Sequence, residues 1–333
     1  MERISRGVRA CQRLEDGTAI YLVGQGEPAI RLDLFLRERI PKLSRHRIQK
    51  AITTRVRVQG RGRPRPAMLL HPGDRVIVEP APVPDEQEPG DSIPILHQDA
   101  DLLVIDKPAG LLVHPSNHVR KASVTHILAR DVDGPIHLVH RLDRETSGLM
   151  VVARHAAAAR ALSAQMAREA AGAEKIYRAI VFGEVALSQG VIDLPIGKAV
   201  RSAVYVKRGV NHAEGRGSRT EFTVEGRGAG FSLLALRLGT GRRHQIRVHL
   251  AAIGHAVVGD KLYGPAESHY LRFITRGLDE LMRSELLADR QLLHAAALAF
   301  RHPCSGVPQR FASPLPSDMA SFLARAGIRI PMC

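Results

Sequence analysis

The sequence predicts two domains that mix strands and helices, and three observations lead to that reading. Residues 29–80 pass from helical spacing of apolar residues to period-two alternation and are strongly basic. Residues 81–92 (APVPDEQEPGDS) turn abruptly acidic and Pro-rich, the composition of an extended, semi-rigid linker. From 93 to 312, short apolar runs of strand type alternate with helical patterns, and 333 residues allow two domains with a sizeable core. Residues 1–28 then read as a short extension ending in Gly24, Gly26 and Pro28, and 313–333 as a tail with a short helix around Met319 to Ala326.

Composition narrows the function. A formal charge of +15 favours polyanions through counterion release, so nucleic acid is the natural partner, although charge alone also reports solubility and loose binding. There is no Trp, and aromatics make up 4% of the chain, so any base stacking rests on one or two rings or on Arg. Cys11, Cys304 and Cys333 are an odd set without metal-ligand spacing. The N-terminus is charged without an apolar h-region, and no apolar run approaches 18 residues. A cytoplasmic protein without membrane partners is expected, and a monomer. Gly24-x-Gly26 lacks the third glycine of a dinucleotide site, and Gly226, Gly228 and Gly230 lack the Lys-Ser/Thr of a phosphate loop. No cofactor and no metal are expected.

The extension is followed by the basic module, where thirteen Lys and Arg against four Asp and Glu leave +9 over 29–80. Leu32, Phe35, Leu36 and Ile40 share one face of a helix that Pro41 ends. Ser44 is a candidate N-cap for a second helix that turns Ile48, Ala51 and Ile52 inward and displays Arg45, His46, Arg47 and Lys50. Val56 and Val58 alternate as a strand, Pro72-Gly73-Asp74 turns, and Val76 and Val78 form another.

In the larger domain, Leu102 to Ile105 is a buried strand, and Asp106 to Gly110 is a turn in which Lys107, with the later His114, reads as packing. Ser123 caps a helix through Arg130, and 156–171 is an Ala-rich packing helix with Leu162 and Met166 inward. Between them lies His140-Arg141-Leu142-Asp143-Arg144-Glu145-Thr146-Ser147-Gly148. Ile136, Leu138 and His140 alternate before it, and Leu149 to Ala153 is apolar after it, so the polar block sits on a turn between two core strands. Arginines flank Asp143 and favour its ionised form, which suits a nucleophile better than a general acid. A structural Asp–Arg pair capping the turn is the other reading.

Further on, Lys175 to Val181 is a strand with Tyr177, Ala179 and Val181 on one face, where Tyr177 is either core or a base contact. The segment from Val206 to Arg219 reads as an exposed hairpin or an RNA-contacting loop, and Phe231 to Leu238 is a strand. Gly239-Thr240-Gly241 opens a helix from Arg242 to Leu250, with Arg243 and Arg247 four apart on one face and Arg242 beside them. Three arginines at a positive helix end need an anion, either phosphate or carboxylate. His294, His302 and Cys304 lack a fourth ligand at sensible spacing.

HRLDRETSG resembles the central motif of the RluA family of RNA pseudouridine synthases. Lys107-Pro108-Ala109-Gly110 with His114-Pro115, the K-x-Y-x-A of Lys175 to Ala179, GRRHQIRVHL from Gly241, and the closing strand around Leu292 to Pro303 are similar to other motifs of that family in the same order. The kinase catalytic loop, H-R-D-L-x-x-x-N, does not fit, because Leu142 precedes Asp143. The resemblance implies an α+β pseudouridine synthase fold, with a mixed, largely antiparallel central sheet and flanking helices. It implies Asp143 as the catalytic residue, Tyr177 against the target uracil with a role in proton removal, and Arg247 paired with Asp143. It implies that Arg141 enters the space left by a flipped nucleotide, with Arg242 and Arg243 near the RNA. The basic module resembles the small RNA-binding domain named after ribosomal protein S-four through Arg31-Leu32-Asp33, Ser44 to Ile48, Val56 to Gly60 and Gly73-Asp74. That resemblance implies that Arg45, Arg47 and Lys50 grip phosphate, the other reading being a solvated face. Such a module points to large-subunit ribosomal RNA ahead of transfer RNA. Two other classes remain, a noncatalytic RNA-binding or ribosome-assembly factor, and a phosphodiesterase built on Asp143 and Glu145.

Overall fold

The computed structural model describes residues 11–13, 18–40, 45–79, 92–115, 123–167, 172–200, 202 and 204–329. The chain forms two compact units, Met1–Asp85 and Glu86–Cys333.

In the first unit the helices Leu32–Arg39 and Arg45–Arg55 bury Leu32, Phe35, Leu36, Ile48, Ala51 and Ile52. These side chains meet Val56, Val58, Val76 and Val78 from two strands with alternating burial. The described part of the expected extension contributes to this core. Ala19–Leu22 pairs with Arg75–Val78 on one side and Cys11–Arg13 on the other, and Ala19, Tyr21 and Val23 are buried. Its alternation is only four residues long, too brief to stand out beside the glycines that follow. The expected stop at Pro41 and cap at Ser44 lie outside the described residues, as do the side chains of Arg47 and Lys50.

The second unit is built on one ten-stranded sheet. Its main path runs Gln189–Asp193, Arg219–Gly228, Phe231–Leu238, Glu174–Phe182, Leu293–Arg301, Ser147–Ala153, Leu102–Lys107, Ile95–Gln98. Every pairing among these strands is antiparallel except one. Ser147–Ala153 runs parallel to Leu293–Arg301, with Ser147 opposite His294 and Gly148 opposite Ala295. Both faces are covered, which is why the Leu102 to Ile105 and Leu149 to Ala153 runs are apolar without a break. On one face Leu103, Ile105, Met150 and Val152 pack with Ile127 and Leu128 of the helix Val124–Asp131 and Ile246 and Leu250 of the helix Gln245–Ala252. On the other, Leu102, Val104, Leu149 and Val151 pack with Ala158, Leu162 and Met166 of the helix Ala156–Ala167. Ser123 caps its helix as expected, its hydroxyl accepting from the His126 N–H at 3.4 Å.

The C-terminal segment is a structural layer rather than a tail. The helix Ser317–Arg325 inserts Met319, Phe322 and Leu323 against Ile180, Leu233 and Val258. The segment around Val206 to Arg219 includes a hairpin arm, Arg208–Val210 pairing with Ile196–Lys198. His302 and Cys304 gather with Asp99, Asp101 and His155, not with His294. In this cluster His155 Nδ1 accepts the Ala158 N–H and His302 Nδ1 the Ser305 N–H, each at 3.2 Å, so each ring carries its proton on Nε2. Those protons are donated to Asp101 at 2.8 Å and Asp99 at 3.1 Å, which ties the Gln98–Leu102 turn to two neighbouring elements. Among the described residues, no helix is long and apolar enough to cross a membrane.

The parallel junction depends on a glycine. Gly148 has φ +108°, and a Cβ there would lie 2.3 Å from the Ala295 carbonyl oxygen. Gly148→Ala therefore combines backbone strain with a clash against backbone that cannot yield, and should cost ~3 kcal/mol. Thermal unfolding should fall by roughly 10 °C in a unit of this size, and an unchanged melting temperature would show that the junction is not tight.

Candidate active site

The polar turn between His137–Leu138 and Ser147–Ala153 is held from several sides. Lys107, with its side chain fully buried, donates from Nζ to the carbonyls of Pro108 (2.7 Å), Leu111 (3.0 Å) and Arg144 (3.1 Å). Burial pulls its pKa down to about 7, while three carbonyl acceptors match the three protons of the ammonium form. The reading of Lys107 as turn packing thus has a definite form, since it joins its own turn to the residue after Asp143. Arg144 answers it, with its carbonyl accepting from the Gly110 N–H and its Nε donating to the Gly110 carbonyl, each at 2.9 Å. His140 accepts the Val151 N–H at Nε2 (3.0 Å), and burial lowers its pKa to about 4, so it is a neutral strut.

Asp143 Oδ2 accepts from Arg247 Nη1 at 2.8 Å. Burial works against the charged carboxylate, but the Arg247 charge and its hydrogen bond hold Asp143 below the usual carboxylate range. Arg247 is clamped in turn by Asp260, through Nε to Oδ2 (2.6 Å) and Nη2 to Oδ1 (2.8 Å). Asp260 is fully buried and also accepts the N–H groups of Leu262 (2.9 Å) and Tyr263 (3.0 Å). Glu145, by contrast, gives its carboxylate to Lys261 Nζ at 2.7 Å. The phosphodiesterase reading needs Asp143 and Glu145 to work as a pair, and their carboxylates are bound to different partners.

Tyr177 lies on the central strand Glu174–Phe182 with 8% of its surface exposed, enough to reach the cleft that contains Asp143. Burial and the Asp143 charge hold its phenol well above the ordinary range, so it presents a neutral ring rather than a ready base. Arg141 and Arg242 are exposed and line the same cleft.

The helix carrying Arg247 begins later than the sequence suggests, at Gln245. Gly239 to His244 is a turn, locked by the buried Gln245 side chain. Its Oε1 accepts from Thr240 Oγ1 (2.6 Å) and the Arg242 N–H (3.0 Å), and its Nε2 donates to the Arg219 carbonyl (2.9 Å). Arg242 and Arg243 therefore precede the helix, exposed, and only Arg247 lies within it and buried. The three arginines do not share one anion, and Arg243 is not among the residues that line the cleft.

Two contributors carried no assigned role in the sequence. They are Asp260, which no spacing in the sequence ties to Arg247, and His244, which stands in GRRHQIRVHL as a neighbour of the arginines. His244 is the N-cap, in left-handed backbone at φ 59°. Its Nε2 stands 3.8 Å from Asp143 Oδ1, and its Nδ1 lies 2.9 Å from the Tyr263 hydroxyl.

This arrangement can hold one ionised carboxylate beside an aromatic ring at the base of a cationic cleft. Comparison with known proteins gives it a context. The model of the RNA pseudouridylate synthase family matches residues 101–252, which span the Asp143 turn, Tyr177 and Arg247. A protein of Chloroflexus aurantiacus described as an uncharacterized RNA pseudouridine synthase is 39% identical over 315 residues, covering 92% of this chain and 93% of that one. The ribosomal large subunit pseudouridine synthase D of Zymomonas mobilis is 36% identical, covering 87% and 91%. Among solved structures, human RNA pseudouridylate synthase domain containing 4 superposes with a TM-score of 0.54 at 28% identity, over 72% of this chain and 95% of that one. Likeness on this scale spans both units and the whole cleft, and the chain belongs to the RNA pseudouridine synthase family, isomerases that act on RNA.

Proposed function

We propose that this synthase isomerises specific uridines of large-subunit ribosomal RNA, with Asp143 as the nucleophile. The observation that carries the reading is the Asp143 carboxylate, kept ionised by Arg247 at 2.8 Å inside a cleft flanked by exposed arginines. The bond from ribose to N1 of the uracil breaks, the base turns, and it rejoins through C5, which loses its proton while N1 gains one, so the product is an isomer of the substrate. Nothing is consumed, so the reaction asks for positioning rather than a cofactor. The base must leave its stack to reach Asp143, and Arg141 at the cleft mouth fills the space it vacates. Tyr177 packs its neutral ring against the uracil, and Arg242 meets the backbone nearby. Arg247 is a positioning residue, since it touches Asp143 rather than substrate.

The ribosomal assignment rests on the relatives. Those from Zymomonas mobilis and Xanthomonas campestris are both ribosomal large subunit pseudouridine synthases D, each 36% identical to this chain. In the first unit, Arg45 stands exposed at the start of its helix, where an S-four-like module uses Arg45, Arg47 and Lys50 to hold phosphate.

Pseudouridine mapping of ribosomal and transfer RNA tests the whole reading. Deleting the gene should remove particular large-subunit sites, which wild type restores and Asp143→Asn does not. Restoration by Asp143→Asn would remove that residue from the chemistry, and no missing site would favour a noncatalytic RNA-binding factor.

Arg247→Lys keeps a positive charge but cannot serve two carboxylates in a fixed fork. Single-turnover rate should fall about 100-fold with RNA affinity nearly unchanged. Equal losses in rate and affinity would place Arg247 on the RNA instead. Replacing Arg45, Arg47 and Lys50 together by Ala should weaken RNA binding and reduce the salt slope by about 2–3. An unchanged slope would mean that this face does not meet phosphate.

A further inference from the structure

The cleft contains a second polar side chain that faces Asp143 and is not used by the reading above. His244, with 9% of its side chain exposed, stands at the N-cap of the Arg247 helix in a left-handed backbone conformation that L-residues other than Asn, Asp and His seldom hold. The Gln245 hydrogen bonds to Thr240, Arg219 and the Arg242 N–H maintain that conformation. Positive φ in a non-glycine residue persists where surrounding contacts over-determine it, and it concentrates at functional sites. Here it directs the ring at the carboxylate.

The ring's proton can be placed from its neighbours. The Tyr263 hydroxyl oxygen accepts the Arg208 N–H at 2.8 Å, and among the described residues the one acceptor within reach of the phenolic proton is His244 Nδ1 at 2.9 Å, to which we assign it. Burial lowers the imidazole pKa to about 4 and holds the phenol well above its ordinary value, so both groups are uncharged near neutrality. A neutral imidazole that accepts at Nδ1 carries its proton on Nε2. That Nε2–H faces the cleft, 3.8 Å from Asp143 Oδ1, too far for a hydrogen bond. It has no other hydrogen-bond partner among the described residues. Arg247 takes Oδ2, so Oδ1 is the carboxylate oxygen left to react, and the free donor stands beside it.

We propose that His244 is a catalytic residue, a neutral donor whose Nε2–H binds a carbonyl oxygen of the target uracil. The proposal rests on Asp143 as the reacting carboxylate. When the C1′–N1 bond breaks, its electron pair leaves with N1 and spreads onto the carbonyl oxygens of the base. Asp143 Oδ1 then either bonds to C1′ or takes the proton from C2′, leaving a double bond between C1′ and C2′. In either case the charge that develops is on the base, and a pre-aimed donor at that oxygen is stronger in the transition state than in the ground state. An imidazolium would instead bind the Asp143 carboxylate, so the uncharged form is the useful one. Tyr263 acts through His244 by setting its tautomer and is a positioning residue.

The test combines single-turnover kinetics on an unmodified transcript of large-subunit ribosomal RNA with nitrogen NMR of histidine-labelled protein. His244→Phe keeps a ring without a donor and should lose about 100-fold in rate while RNA affinity stays within about 3-fold. His244→Gln restores an uncharged donor and should recover most of that loss. Tyr263→Phe should slow the reaction less, about 10-fold, and shift the His244 signals of free protein from the Nε2–H tautomer to a mixture. His244→Phe at wild-type rate, His244→Gln as slow as His244→Phe, or an Nδ1–H tautomer in the wild type would each overturn the proposal. Asp143→Asn, run alongside, separates the two readings. Product from that variant removes Asp143 as the reacting group, whereas the Phe and Gln pair still reports on the donor. If the wild type leaves the transcript unmodified, the ribosomal assignment falls and the nitrogen shifts still decide the tautomer.

Discussion

The guanidinium of Arg247 serves two carboxylates with three of its donors, and the site depends on that division. Nε and Nη2 grip Asp260 in parallel, which leaves Nη1 aimed at Asp143. Asp260 is fully buried and Arg247 nearly so, a pairing whose desolvation makes it a poor source of stability but an effective fixed scaffold. Its value lies in orientation, because Asp260 holds the arginine and the arginine fixes one oxygen of Asp143. Two negative groups against one positive leave the cluster anionic at its base, and the exposed Arg141 and Arg242 supply the balancing charge at the cleft.

Much of this was legible in the sequence where local pattern decides structure. The strand Phe231–Leu238 falls where its apolar run predicts, and Tyr177, Ala179 and Val181 share a core face as their alternation requires. The turn bearing Asp143 was readable because polar residues interrupt two apolar strands. The helix start was not. Arg242 to His244 have ordinary helix-compatible side chains, and what stops them is the Gln245 amide, which binds the turn from three directions. Such a tertiary constraint leaves no trace in periodicity. Asp260 was hidden for the same reason, since its partner lies 13 residues away across a break in secondary structure.

The boundary residues show a related limit. The strand Ala19–Leu22 is short, and only its pairing with Arg75–Val78 reveals that Tyr21 is core. The helix Ser317–Arg325 was visible as a helix, but its apolar stripe says nothing about which surface receives it. Met319 and Leu323 are fully buried against strands whose sequence lies far upstream. A terminal segment looks dispensable in sequence because the surface that it covers is contributed by distant residues.

The parallel junction at Gly148 has a consequence for how the enzyme comes into being. One rung across the sheet joins Lys107, Gly148, Ala295, Tyr177 and Leu236, on five strands drawn from nearly the full length of the larger unit. The central partner, Ala295, is the last of them to be synthesised. Until the Leu293–Arg301 strand slides between the other two, the Asp143 turn and Tyr177 belong to separate halves of an unfinished sheet. Non-local pairings of this kind close late, after the entropy of long loops has been lost. A nascent or C-terminally truncated chain therefore carries most of its Lys and Arg residues before the sheet that brings the Asp143 turn and Tyr177 together is complete.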